Sequence, residues 1–374
     1  MKILQVCKFY PPVPGGMETV AWEITEGLRR RGIDVAVLCA GLERHTYEER
    51  AVSGYRIVRA GAWTRVLSTS VAPAMPGLLR SMSRSADIVH VHMPDPMAAL
   101  SLWLARPQGR VVVHWHSDVV RQKRALQLYR PLQSWVLRRA DAIVATSNAY
   151  AETSPWLQAW TNKTVVIPIG ISAAPSPDPE AVERIRKRFG HRKIVFSLGR
   201  MTYYKGFDVL LRAATALPDD CVIIIGGGGE LLASYREAAM SRGLADKVSF
   251  VGYIASQDLS SYFAAAEVFC LPSTERAEAY GVALLEAMAM SKPVITTDIP
   301  GSAVPWVNQS GVTGLTVPVG DAQALACAIG RLVGDSAYAS QLGNQARQRF
   351  EEHLTAEVML ERTTALYSRL GHCF

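Results

Sequence analysis

Short, near-continuous apolar runs alternate with amphipathic stretches along this chain, and the alternation restarts once. KILQVC (2–7), IDVAVLC (33–39), DIVHVH (87–92), RVVVHWH (110–116), DAIVAT (141–146) and TVVIPI (164–169) form the first series. Runs of that length without polar alternation suit strands of a parallel sheet covered on both faces. Helix-like segments, such as the one from Met17 to Arg31, separate them, so the first half reads as a wound βαβ sheet. AAPSPDPE (173–180) then interrupts the pattern as a proline-rich linker. The series resumes with KIVFSLG (193–199), CVIIIGG (221–227), KVSFVG (247–252), AEVFCLP (266–272) and KPVITT (292–297). Helices are expected from about Phe207, Glu230 and Val282, and from about Asp321 onward the chain reads as helical.

The simplest architecture is α/β, with two Rossmann-like halves. A length of 374 residues agrees with two or three domains of roughly 150 residues. Hydrophobic residues at 49% and charged residues at 20% exclude collagen, coiled coil and disorder. No apolar stretch approaches the ~18 residues of a membrane span. The start is too soon broken by prolines for a signal peptide. The scattered cysteines show no metal or disulfide spacing, which suits a reducing cytosol.

Charge divides unevenly. Residues 1–172 carry 21 Lys and Arg against 12 Asp and Glu, while residues 173–374 carry 19 against 21. A basic half beside a near-neutral half points to an anionic partner: nucleic acid, a membrane surface or a phosphorylated substrate. Nucleic acid is disfavoured, because no aromatic-basic interleaving or recognised motif appears.

Ligands of wound sheets bind beyond the carboxyl ends of the strands, and the conspicuous residues lie there. Gly15 and Gly16 follow the first strand and open the first helix, where backbone amides can approach an anion. His90-Val91-His92 and His114-Trp115-His116 end two strands, and His116 is placed at the ligand. His90 and His114 read as satisfied core histidines, and no metal set is completed nearby. Arg200 and Lys205-Gly206 follow the first strand of the second half and suit a diphosphate. Gly226–Gly229 fails the dinucleotide fingerprint at Leu231 and reads as a close-approach turn. Glu278 and Glu286 flank Gly281, with the amides of Val282, Ala283 and Leu284 aimed at a phosphate and the two carboxylates at hydroxyls of opposite ends of a ligand.

Together these motifs resemble the retaining glycosyltransferases of family 4, of GT-B fold, across essentially the whole chain. The resemblance rests on Gly15, Gly16 and Glu18, on His116, on Arg200 with Lys205-Gly206, and above all on the spacing of Glu278 and Glu286. It implies an acceptor domain over 1–172, a nucleotide-sugar donor domain over 173–352 and a C-terminal segment, 353–374, returning to the N-terminal domain, with a cleft between the domains. It implies that Arg200 and Lys205 hold the donor diphosphate, Glu278 meets the transferred sugar, Glu286 binds the ribose and His116 lies beside the reacting sugar. The sequence departs from the family at Tyr280, at Pro168-Ile169-Gly170-Ile171 and at Pro300–Trp306, where a glutamate is missing. The segments resemble those of transferases that build bacterial O-antigens and exopolysaccharides in lipopolysaccharide biosynthesis, which implies a GDP-mannose-type donor.

The expected activity is therefore hexosyl transfer with retention, without metal or cofactor, to a glycan or lipid-linked glycan. The expected location is the cytoplasm, with peripheral docking on the anionic inner membrane face as an option. A UDP-sugar transferase and a nucleotide-sugar epimerase or phosphorylase are the alternatives.

Overall fold

The computed structural model describes residues 1–66, 69–119 and 123–371. The chain divides into two compact units, Met1–Ser172 with Ala356–Phe374, and Ala173–Thr355. Each is Rossmann-like, and two such units in one chain are the GT-B architecture.

In the first unit an eight-stranded sheet runs in the order Thr164–Val166, Ala142–Ala145, Arg110–Trp115, Ile88–Met93, Lys2–Cys7, Asp34–Ala40, Arg56–Ala60, Tyr47–Arg50. All neighbours are parallel except the last, which pairs antiparallel with Arg56–Ala60. Every residue of Ile88–Met93 is buried, as a central strand covered on both faces requires. The sequence reading contains neither Arg56–Ala60 nor Tyr47–Arg50. Charges conceal both strands: Arg56 and Arg59 each reach a glutamate of the neighbouring strand, Glu48 and Glu49, at 2.7 Å. TVVIPI is a strand only to Val166, because Pro168 lacks the amide that a continuing ladder needs.

The second unit has a six-stranded parallel sheet: Val248–Gly252, Cys221–Gly226, Lys193–Leu198, Val268–Leu271, Val294–Thr297, Gly314–Val317. The short, half-exposed Gly314–Val317 edge is again absent from the sequence reading. In both sheets the first strand of the unit lies inside, so chain order reverses around it. These reversals are the switch points at which such sheets open a crevice for ligands.

After Thr355 the chain belongs to the first unit. Its last helix, Ala356–Gly371, packs on the Gly16–Arg30 helix. The approach is close: a Cβ on Gly27 would lie 2.5 Å from Leu360 Cδ2. The Ala356 amide also donates to the Ile171 carbonyl at 2.9 Å.

Candidate active site

The second unit's switch point lies between Lys193–Leu198 and Val268–Leu271, and the loops leaving those strands meet. The Thr274 amide donates to the Tyr204 carbonyl at 2.7 Å. Gly206 makes the approach possible: its φ is +67°, and a Cβ there would stand 1.9 Å from the Pro272 carbonyl oxygen. Lys205 folds back over Gly199, where a Cβ would lie 3.0 Å from its Cε. Its Nζ reaches Glu278 Oε2 at 2.6 Å, and the same oxygen accepts from Ser273 Oγ at 2.8 Å. Lys205 and Glu278 are only 11% and 9% exposed along their side chains, so each is the other's main compensation for lost water. Burial, the largest single influence, would lower the Lys205 ammonium's pKa, but the Glu278 carboxylate together with Tyr204 more than offsets it and the pKa is raised.

A second layer fixes the Glu278 loop. Ser302 Oγ donates to the Glu278 carbonyl at 2.5 Å, and the Ala303 amide donates to the Ala279 carbonyl at 2.9 Å. Thr297 Oγ1 ties down the Ser273 carbonyl. The sequence does not single out Ser273, Thr297 and Ser302: Thr297 ends a strand, but Ser273 lies two residues and Ser302 five residues beyond one. Pro300–Pro305 therefore anchors the backbone under Glu278 in the segment where the family's usual glutamate is missing.

The helix Val282–Ala289 begins at Gly281, whose φ is +79°. Glu286 lies one turn inside it. Its surface is only partly covered, yet the surrounding protein and the loss of water push its carboxyl up to about 7, against the pull of Lys205. The sequence reading gives Val282, Ala283 and Leu284 one role. The structure separates them: the Leu284 amide closes the first turn by donating to the Gly281 carbonyl at 2.8 Å. Among the described residues no acceptor binds the Val282 and Ala283 amides, which keep the orphan donors of a helix start. Arg200 is exposed, and no described residue pairs with its guanidinium. Gly227 is a close-approach turn, since a Cβ would lie 2.1 Å from the Gly199 carbonyl oxygen.

The first unit carries a different cluster at its own strand ends. His92 and His114 are register partners, so parallel pleating sets His90, His92, His114 and His116 on one face. Their rings stack, with His114 and His116 centroids 4.2 Å apart and planes 6° from parallel. His116 Nε2 and His92 Nδ1 are 2.9 Å apart, and His92 Nε2 lies 3.0 Å from Gln5 Oε1. His90 Nδ1 meets the Tyr367 hydroxyl of the returning helix. Neither His114 nor His90 is the fully satisfied core histidine expected: among the described residues neither ring nitrogen of His114 has a partner, and His90 lacks one at Nε2. The ligand nitrogens of His92, His114 and His116 lie within 4.8 Å of one another, a spacing that a metal could bridge. Near-parallel rings, however, direct their in-plane lone pairs side by side instead of to one point, and His92 spends both nitrogens on neighbours.

Gly15 and Gly16 stand at the start of the Gly16–Arg30 helix, with the Glu18 carboxylate folded over Gly15; a Cβ on Gly15 would lie 2.1 Å from Glu18 Oε2. Among the described residues no helix is long and apolar enough to cross a membrane.

Two Rossmann-like units, one bearing a lysine, an arginine and two carboxylates around a helix start, define the class of GT-B group-transfer enzymes. The comparisons narrow this. "Glycosyltransferase Family 4" matches residues 14–174 and "Glycosyl transferases group 1" matches residues 180–349. The chain is 34% identical to the O-antigen chain mannosyltransferase C of Escherichia coli, over 99% of both chains. It is 33% identical to a D-rhamnosyltransferase of Pseudomonas aeruginosa, covering 95% of this chain and 93% of that one. It is 30% identical, over 92% of each, to a GDP-mannose-dependent alpha-(1-6)-phosphatidylinositol monomannoside mannosyltransferase of Mycolicibacterium smegmatis. In fold it matches the sucrose-phosphate synthase of Thermosynechococcus elongatus, with a TM-score of 0.82 at 22% identity over the whole of both chains. The chain belongs to glycosyltransferase family 4: it is an enzyme that moves a sugar from an activated donor to an acceptor.

Proposed function

We propose that this enzyme transfers mannose, with retention of configuration, from GDP-mannose to a glycan or lipid-linked glycan of the cell envelope. The observation that carries the donor half is the buried Lys205–Glu278 pair, set at a switch point beside Arg200 and the free amides of Val282 and Ala283. Cations and helix-start amides stabilise the negative charge that grows on the leaving diphosphate. Glu278, held by Ser273 and Lys205, receives hydroxyls of the sugar; Glu286 receives those of the ribose. His116 stands beside the reacting sugar. The leaving phosphate oxygen takes the acceptor hydroxyl's proton as the new glycosidic bond forms on the same face. Mannose and its guanine nucleotide are favoured by the relatives named as mannosyltransferases, one of them GDP-mannose-dependent. Since the site already supplies the positive charge, transfer needs no divalent cation.

The first unit, net +9 by sequence over residues 1–172, takes the acceptor, and its arginines dock the enzyme on an anionic membrane face from the cytoplasm. Arg80 and Arg84 are exposed; Arg130 lies over the Trp156 ring, 5.6 Å from its centroid. Arg121 and the side chains of Lys123 and Arg124 fall outside the described residues.

The test incubates the protein with GDP-mannose and lipid-linked envelope glycans, with and without chelator, and reads the anomeric configuration of the product by NMR. An α-mannosyl product, formed equally with chelator, is expected. A melting temperature raised by UDP but not by GDP would move the reading to a UDP-sugar donor. Sugar conversion without acceptor would move it to an epimerase or phosphorylase. Sedimentation with anionic vesicles, lost at high salt, checks the membrane face.

A further inference from the structure

We propose that Gln5, His92 and His116 form a hydrogen-bonded chain that holds His116 as its Nε2–H tautomer and leaves Nδ1 as the acceptor for a substrate hydroxyl. This deepens the role given to His116 above and rests on it for its catalytic meaning; the tautomer itself stands on the hydrogen-bond geometry of buried, neutral rings.

A neutral imidazole has one donor and one acceptor nitrogen, so a fixed partner on one decides the other. All three members are buried, Gln5 and His92 at 0% and His116 at 8% exposure. Burial in the first place, and the neighbouring rings in the second, hold His92 and His116 neutral by lowering both far below the ordinary imidazole range. Gln5 presents its carbonyl oxygen to His92 Nε2 at 3.0 Å, and a carbonyl only accepts. His92 Nε2 therefore carries the proton and Nδ1 the lone pair. His116 Nε2, 2.9 Å from that lone pair, must donate to it. One place remains for the His116 lone pair, which is Nδ1, and no described residue bonds it. Gln5 and His90 are themselves register partners on adjacent strands, so the sheet sets the starting point of the chain. Tyr367 closes the other end of the stack on His90, which ties the arrangement to the returning helix. Gln5 and His92 are thus positioning residues for His116.

The experiment labels the full-length protein with ¹⁵N-histidine and reads each ring's tautomer from two-bond proton–nitrogen correlations. Wild-type His116 and His92 are both expected with an N–H at Nε2 and a bare imine nitrogen at Nδ1. In Gln5→Met, His92 loses its fixed acceptor. His116 is then expected to show a mixture of tautomers, and kcat with GDP-mannose to fall roughly 10- to 100-fold with KM little changed. A wild-type His116 protonated on Nδ1 overturns the proposal, as does a Gln5→Met spectrum identical to wild type. The wild-type spectrum decides the tautomer even if the variant fails to fold. An inactive His116→Ala enzyme combined with an Nδ1–H spectrum separates the two claims: the catalytic role of His116 stands and the chain falls.

Discussion

At the strand ends of the first unit, four imidazoles stack with no charge among them; at those of the second, a lysine and two carboxylates share one small volume. Both clusters are polar and largely buried, and they meet the cost of lost water by opposite means. The histidines give up their protons. Lys205 and Glu278 compensate each other as an ion pair, with Ser273 taking part of the load. A neutral stack can be assembled from aromatic contact and needs few partners; among the described residues none bonds either nitrogen of His114. A charged pair cannot lose a member without leaving the other exposed to the full penalty. The first arrangement suits a site that orients a substrate, and the second a site that meets growing charge.

The comparison breaks most visibly at Lys205. Lys205→Met leaves Glu278 buried and unpaired, and is expected to cost about 3–5 kcal/mol in urea unfolding. Lys205→Met with Glu278→Gln should recover a large part of that loss. A single variant as stable as wild type would show the pair to be structurally idle. Arg200→Ala removes an exposed charge, so its melting temperature should not move, while turnover of GDP-mannose falls ~10²–10³-fold. Turnover within a few-fold of wild type would take Arg200 out of the donor site.

Calorimetry sharpens the division between the carboxylates. Glu286→Ala should weaken binding of GDP itself by about 1.5–3 kcal/mol, whereas Glu278→Ala weakens mainly GDP-mannose. Equal losses for both ligands in both variants would end that division of labour.

Acid and alkali act on the two clusters with opposite sign. Burial holds the His114 ring down to about 3. The unfolded chain then takes up the proton first, near pH ~6.5. The stability His114 contributes is therefore complete above about pH 6.5 and is lost as pH falls from there to about 3. Burial, opposed by Lys205, lifts Glu286 to about 7. Its contribution is complete below an unfolded value of about 4.5 and is lost as pH rises to about 7. In urea unfolding, His114→Leu should flatten the profile below about pH 4.5 and Glu286→Gln should flatten it above about pH 6.5; between those values the two slopes oppose each other, so each variant uncovers the slope of the other group. At pH ~7 His114→Leu should differ from wild type by less than about 1 kcal/mol, because no hydrogen bond is removed. If neither variant alters the pH dependence, the contrast between the clusters is not one of protonation.

Much of the wound sheet was legible because buried parallel strands are written as uninterrupted apolar runs, as in Ile88–Met93 and Cys221–Gly226. Arg56–Ala60 was not, since its arginines answer glutamates on a neighbour that lies close in sequence yet gives no apolar signal. Arg200, Lys205, Glu278 and Glu286 were nameable from their positions after strands. Ser273 and Ser302 were not, because a serine that braces a loop looks like any other serine until the acceptor it serves is in place.

The sequence by itself determined the two wound halves, the glycines where loops must turn, and the types of side chain at the strand ends. Those follow from local periodicity and from backbone freedom, which act over a few residues. Only the tertiary structure decided who meets whom: Lys205 with Glu278, 73 residues apart, and His92 with both Gln5 and His116. The returning helix, which brings Tyr367 to His90 across 277 residues, is of the same kind. Such meetings are fixed by strand order and register, which no single segment encodes, and they set the protonation of each group by deciding what surrounds it.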